Sequence, residues 1–162
     1  MAKDQPNLQG RIVIEDLELV QNMLSNREEL ESLNITVQPH NFMQEQPITG
    51  AKVYYLRNVI HNWNDADSKT ILSQLSKAMA HDSVLILDEV VMPQLGVSWK
   101  QASMDLAMMT MLAAKERTRA DFDKLLNGAG LQIREIRTYD EDYGDSLIFA
   151  ELLTRVDEKF EE

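Results

Sequence analysis

The chain has 162 residues, 44% hydrophobic and 27% charged, a globular composition with enough apolar material for a core. The 16 basic against 27 acidic residues give a formal charge of −11 with no Lys/Arg cluster to offset it, which argues against nucleic acid as a partner. Cysteine is absent, which excludes disulfides, and no secretory or bilayer-spanning apolar run is present, so a soluble cytoplasmic protein without membrane attachment is expected.

Strand and helix alternate along the chain, the pattern of an α/β fold with a largely parallel sheet. Arg11–Asp16 reads as a short buried strand ending in acid, and apolar residues at 17, 20 and 24 give the next segment a helical face. A second short strand runs from Asn34 to Val37, before Pro39. Lys52–Ile60, rich in β-branched and aromatic residues, is the third. Asp65 suits an N-cap, and Ile71, Leu72, Leu75, Ala78 and Met79 mark the buried stripe of the helix behind it. Ser83–Val91 is the strongest strand, closed by Pro93. Ser98 caps a methionine-rich helix predicted to reach about Ala114. Thr118 and Asp121 form a capping box for the following helix, which Gly128 and Gly130 stop. Gln132–Arg137 and Ser146–Leu153, joined by a tight Asp-Tyr-Gly-Asp turn, are expected to form an antiparallel hairpin at the sheet edge. No repeat or linker divides the chain, so residues 1–162 read as one domain, with a charged tail from Asp157.

Three polar residues fall where α/β folds place their chemistry, beyond or near the C-terminal ends of strands or in a turn. These are His61, after the third strand, Glu89, in Ser83–Val91, and Glu116, between two helices. A histidine flanked by two carboxylates makes a general base, because one carboxylate fixes the tautomer and both stabilise the imidazolium. Spacing does not bring the three together, and singly each is more often structural than part of a site. Met104, Met108, Met109 and Met111, at helical spacing, read first as core filler. Trp99 belongs to the core or to a pocket wall, and His40 and His81 read as loop residues. No His/Asp/Glu cluster has metal-ligand spacing, so no metal is expected.

The stretch Glu45–Asp65, containing Leu-Arg-Asn-Val-Ile-His-Asn-Trp-Asn-Asp, occurs in order with Asp105-Leu-Ala-Met-Met109, Lys115-Glu-Arg-Thr118 and Gly128-Ala-Gly-Leu131. Together they resemble the plant and fungal caffeate-type O-methyltransferases, most closely the fungal members of secondary metabolism. The likeness covers about Leu8 to Leu153. It implies a Rossmann-like class I methyltransferase sheet and S-adenosylmethionine (SAM) as cofactor. It implies that His61 deprotonates the acceptor hydroxyl, with Glu89 and Glu116 flanking its ring. Asp16 matches the acid that binds the ribose hydroxyls, Asn41 and Phe42 the pair at the adenosine, and Trp63 the tryptophan near the adenine. Arg57, where many plant relatives carry lysine, is grouped with these donor-site positions. The methionine helix, with Met104, Met108 and Met111, would line a pocket for an aromatic or polyketide acceptor.

The departures matter equally. Full-length relatives begin with a winged-helix dimerisation region and open the catalytic domain with a strand and an Asp-x-Gly-x-Gly loop. No such loop occurs in these 162 residues, and Asn41 and Asn62 stand where aspartates are usual. The chain therefore reads as a truncated form whose first strand is the family's second. The absent strand would lie between Arg11–Asp16 and Lys52–Ile60, leaving two apolar edges. Either those neighbours close up or another chain fills the gap, as a homodimer or with a longer methyltransferase-like chain. Three functions fit: a methyltransferase subunit completed by a partner, a SAM-independent cyclase or isomerase in the same pocket, or a non-catalytic interaction module.

Overall fold

The computed structural model describes residues 12–22 and 27–153, the side chain of Arg27 excepted. The chain divides into two compact units, Met1–Gln44 and Glu45–Glu162.

In the first unit, β1 (Ile12–Asp16) and β2 (Ile35–Pro39) form a two-stranded parallel sheet in which Asp16 lies opposite Pro39. Two short helices, α1 (Glu18–Gln21) and α2 (Arg27–Ser32), connect them. Arg11 and Leu24 lie outside the described residues, and α2 had no sequence expectation. Asn34 does not belong to β2. It takes a left-handed φ of 58°, which its short polar side chain tolerates, and the strand begins one residue later and runs through Pro39.

The second unit holds a five-stranded sheet ordered β3 (Val53–Arg57), β4 (Val84–Met92), β7 (Asp145–Leu152), β6 (Leu131–Asp140), with the two-residue β5 (Arg117–Thr118) paired to the end of β4. β4 runs parallel to β3 and β5 and antiparallel to β7, which pairs antiparallel with β6. Counting β1–β2, the parallel pairings outnumber the antiparallel ones, the mostly parallel α/β arrangement with a C-terminal hairpin. α3 (Asp65–Ala78) and α5 (Arg119–Gly128) pack together, and their stripes, Ile71, Leu72 and Leu75 with Phe122, Leu125 and Leu126, are buried, as are Leu85, Leu87 and Ile148 of the sheet. The N-cap of α3 is Asn64 rather than Asp65: its side chain accepts from the N–H groups of Ala66 and Asp67.

The opposite sheet face is open: Val53, Tyr55 and Tyr139 are each more than half exposed. Its polar centre is Asp88, which accepts from the hydroxyls of Tyr55 (2.5 Å) and Tyr139 (2.8 Å) and lies 3.5 Å from Arg57. Burial first, and then these bonds to a carboxylate, push both phenols up to about 12.

α4 (Trp99–Leu112) starts as expected, on a capping box between Ser98 and Gln101, and ends at Ala113 in the left-handed region. Its methionines are not core filler. Met104, Met109 and Met111 are exposed, Met111 by 76%, and Gln101 is the buried residue of the helix. Among the described residues no second layer covers its apolar side.

The hairpin turn rests on Gly144, at φ +79°. A Cβ there would stand 2.5 Å from Gln101 Nε2 and 3.1 Å from the Val91 carbonyl. Gly144→Ala is therefore expected to destabilise the protein by roughly 1–3 kcal/mol, through backbone strain and the displaced Gln101 cap. Denaturant unfolding measures it, and an unchanged midpoint would mean that the turn relaxes freely.

Candidate active site

β3 ends at Arg57, earlier than its apolar sequence suggests, because Asn58 turns left-handed (φ 51°) and donates its N–H to the Asp88 carbonyl. The chain then enters a short 3-10 turn, Ile60–Asn62. Glu89 receives this turn. It projects from the central strand β4, is fully buried, and its Oε1 accepts from the N–H groups of Val59 (3.0 Å) and Ile60 (2.8 Å). A buried carboxylate needs donors, and two backbone amides at a turn supply them.

His61 sits on this turn with its side chain 13% exposed, and its Nδ1 lies 2.9 Å from Glu116 Oε1. Glu116 is itself buried. Its backbone N–H donates to Asp105 of α4 at 2.9 Å, and the next residues pair with Val91 and Met92 of β4. The two-residue β5 thus carries Glu116 to the strand that bears Glu89. An ionised carboxylate only accepts, so Nδ1 is the protonated nitrogen in this pair.

The ring's pKa is raised above its ordinary value, chiefly by the bond to Glu116. Burial opposes this, and the charges of Glu116 and Glu89 reinforce it. Glu89 is pushed up by burial, against the pull of the Ile60 N–H and of a charged His61. The second oxygens of both carboxylates, Glu89 Oε2 and Glu116 Oε2, are buried with no hydrogen-bond partner among the described residues.

The three residues read from the sequence therefore meet around one turn, in unequal ways. Glu116 grips the imidazole, whereas Glu89 grips the backbone beneath it. Sequence reasoning passed over Arg117, 1% exposed, which bonds to both ends of the turn. Its signal was its place beside Glu116 in Lys-Glu-Arg-Thr. Met104 and Met111 stand exposed on α4, with Met108 half-buried.

The donor positions fall in both units. In the first, Asp16 ends β1 with a carboxylate exposed to solvent, one oxygen accepting from the Leu17 N–H at 2.7 Å, and the backbone carbonyl of Asp16 accepts from His40 N–H. Asn41 turns its side-chain oxygen onto the Met43 N–H, and Phe42 is half-buried beside it. In the second unit, Trp63 is half-buried at the end of the turn, and Arg57 pairs with Asp88 on the open face. Among the described residues no cluster of three His, Asp or Glu suits a metal ion, and no helix is long and apolar enough to cross a membrane.

Residues 6–132 match the O-methyltransferase domain family. The chain belongs to that family. It is 44% identical over 135 residues to the demethylsterigmatocystin 6-O-methyltransferase stcP of Emericella nidulans, an alignment covering 83% of this chain and 64% of that protein. A solved structure described as a pericyclic reaction enzyme superposes with a TM-score of 0.83 at 30% identity, over 93% of this chain and 38% of that one. OxaC in complex with SAH and oxaline superposes with a TM-score of 0.81 at 34% identity, over 91% and 37%. The chain thus spans 64% of the length of stcP and 38% and 37% of these two solved chains.

Glu116→Gln removes the charge that raises His61, and its imidazole is expected to titrate closer to about 6.5 than in the wild type. Because the folded value is raised, this pair stabilises the fold fully below about pH 6.5 and the contribution fades as pH rises through the folded pKa. NMR titration of the ring and denaturation at a series of pH values measure both effects. A variant with the wild-type pKa and pH slope would remove Glu116 as their source.

Proposed function

We propose that this chain is the catalytic part of a SAM-dependent O-methyltransferase of secondary metabolism, with His61 as the base that takes the proton from an aromatic or polyketide hydroxyl. The single observation that carries this reading is the 2.9 Å contact between His61 Nδ1 and a buried Glu116, over a turn seated on Glu89. A phenol with a pKa near 10 is almost wholly protonated at neutral pH, so a positioned base contributes about 10²- to 10⁴-fold. Nε2 accepts the hydroxyl proton, and Glu116, bonded to Nδ1–H, balances the charge that the ring gains. Glu89 adds negative charge beneath the turn. Met104, Met108 and Met111 offer thioethers to a flat acceptor.

SAM, when bound, supplies an electrophilic methyl group on its sulfonium. Asp16 would take its ribose hydroxyls, and Asn41 and Phe42 its adenosine. The methionine end of SAM has no such set in this chain, whose sequence contains no Asp-x-Gly-x-Gly loop. A polypeptide segment that carries such a loop completes the donor site, as in a longer methyltransferase-like chain; a second copy of these residues lacks the loop and pairs only the open strand edge. The support is the sheet itself. Among the described residues β3 pairs only with β4, and Val53 and Tyr55 on it are exposed. An apolar strand of this kind gains from a neighbour.

A second reading is favoured by the likeness to the pericyclic reaction enzyme. In it the same pocket carries a SAM-independent cyclisation or isomerisation, with His61 as acid or base.

Calorimetric titration of the chain alone with SAM is expected to show no micromolar binding, because several backbone hydrogen bonds of about 1 kcal/mol each are missing. A clean micromolar isotherm would place a complete donor site in this chain. In the completed assembly, His61→Ala should lower methyl transfer to a phenolic acceptor by 10²-fold or more on the usual scale of general-base catalysis. Full activity in that variant assigns the base elsewhere, and turnover of a cyclisation substrate without SAM selects the second reading.

A further inference from the structure

Among the described residues Arg117 is the largest fully buried side chain. A guanidinium is always charged and carries five N–H donors in a rigid plane, so burial obliges the surroundings to supply acceptors along that plane. Nη1 donates to the Ile60 carbonyl at 2.9 Å, and Nη2 to the Trp63 carbonyl at 2.8 Å. Nε and Nη2 both donate to Asp65 Oδ1, at 3.2 and 2.9 Å, and Nη2 also reaches Ser68 Oγ at 3.2 Å. Ile60 and Trp63 bracket His61 and Asn62. The fork reaches neither the imidazole nor the carboxylate of Glu116.

We propose that Arg117 is a positioning residue for the His61 base, acting by clasping the carbonyl groups on both sides of it; the inference rests on the reading of His61 given above. The turn is then held from two directions. Glu89 takes the N–H groups of Val59 and Ile60 from the sheet side, and Arg117 takes the carbonyls of Ile60 and Trp63. The residue before Arg117 is Glu116, whose carboxylate meets the ring. One dipeptide therefore fixes both the backbone and the side chain of His61, and pairing of Arg117 with Val91 of β4 fixes the dipeptide. The charge is balanced at the rim. Asp65 is 60% exposed at its side chain, and although burial acts against it, Lys115 and Arg117 hold it below its ordinary range. Lysine keeps the charge but, with a single ammonium, does not span two carbonyls and Asp65 in one plane.

The test is the imidazole of His61 in the full chain, followed by NMR for its titration and its nitrogen tautomer. Wild type is expected to titrate above about 6.5 with the Nδ1–H form dominant. In Arg117→Lys, if the fold persists by circular dichroism, the elevation should fall by at least half and the tautomers should mix. Loss of stability alone moves neither quantity in the folded state. Asp65→Asn, at an exposed position, should shift both in the same direction by less, and it decides the matter if Arg117→Lys does not fold. Wild-type titration and tautomer in the folded variants, or in Asp65→Asn alone in that case, overturn the proposal. An unshifted His61 in the wild type overturns the base reading itself, and this inference with it, independently of any variant.

Discussion

A fully buried carboxylate on the central strand must be met by donors, and the donors that meet Glu89 are the backbone amides of Val59 and Ile60. That requirement ends β3 at Arg57, forces the left-handed Asn58, and sets the turn that presents His61. Ile60, wholly buried, locks the same turn into the hydrophobic core. Leaving Glu89 Oε1 unpaired would cost several kcal/mol on the scale of buried charges, a large part of a domain's usual stability. The geometry of His61 is therefore tied to the folding of the core.

The remaining parts of the site follow from short-range devices that place long-range partners. Ala113 breaks α4 in the left-handed region, β5 adds two residues to β4, and Glu116 arrives within hydrogen-bond distance of His61. The α4 methionines and the face around Val53, Tyr55 and Tyr139 are apolar surfaces left uncovered among the described residues. Asp88 keeps that open face ordered by collecting two tyrosine hydroxyls and Arg57 in one place.

Much of this was legible in the sequence, and the reasons are local. The stripe of α3, the helix caps at Ser98 and Thr118, and the Asp-Tyr-Gly-Asp hairpin depend on neighbours in the chain, so periodicity and turn chemistry reveal them. What stayed hidden depends on distant residues. The end of β3 at Arg57 is set by Glu89 and Asp88, some 30 residues away, while the sequence Asn-Val-Ile still reads as strand. β5 is too short for any periodicity. The α4 methionines read as core because helical spacing does not reveal whether a second layer exists. His61, Glu89 and Glu116 were singled out by type and by a resemblance, whereas Arg117 was not, because a buried arginine leaves no pattern of its own.

The claim at the centre is that a histidine with a raised pKa removes the acceptor proton, and the pH dependence of methyl transfer in the completed assembly tests it most directly. His61 must be neutral to accept a proton, and Glu116 holds it charged to a higher pH than a free histidine. The rate at saturating substrate should rise with pH through one ionisation above about 6.5 and level off beyond it. That ionisation should disappear when His61 is replaced. A rate that is flat across this range, or that keeps the same ionisation without His61, would contradict it.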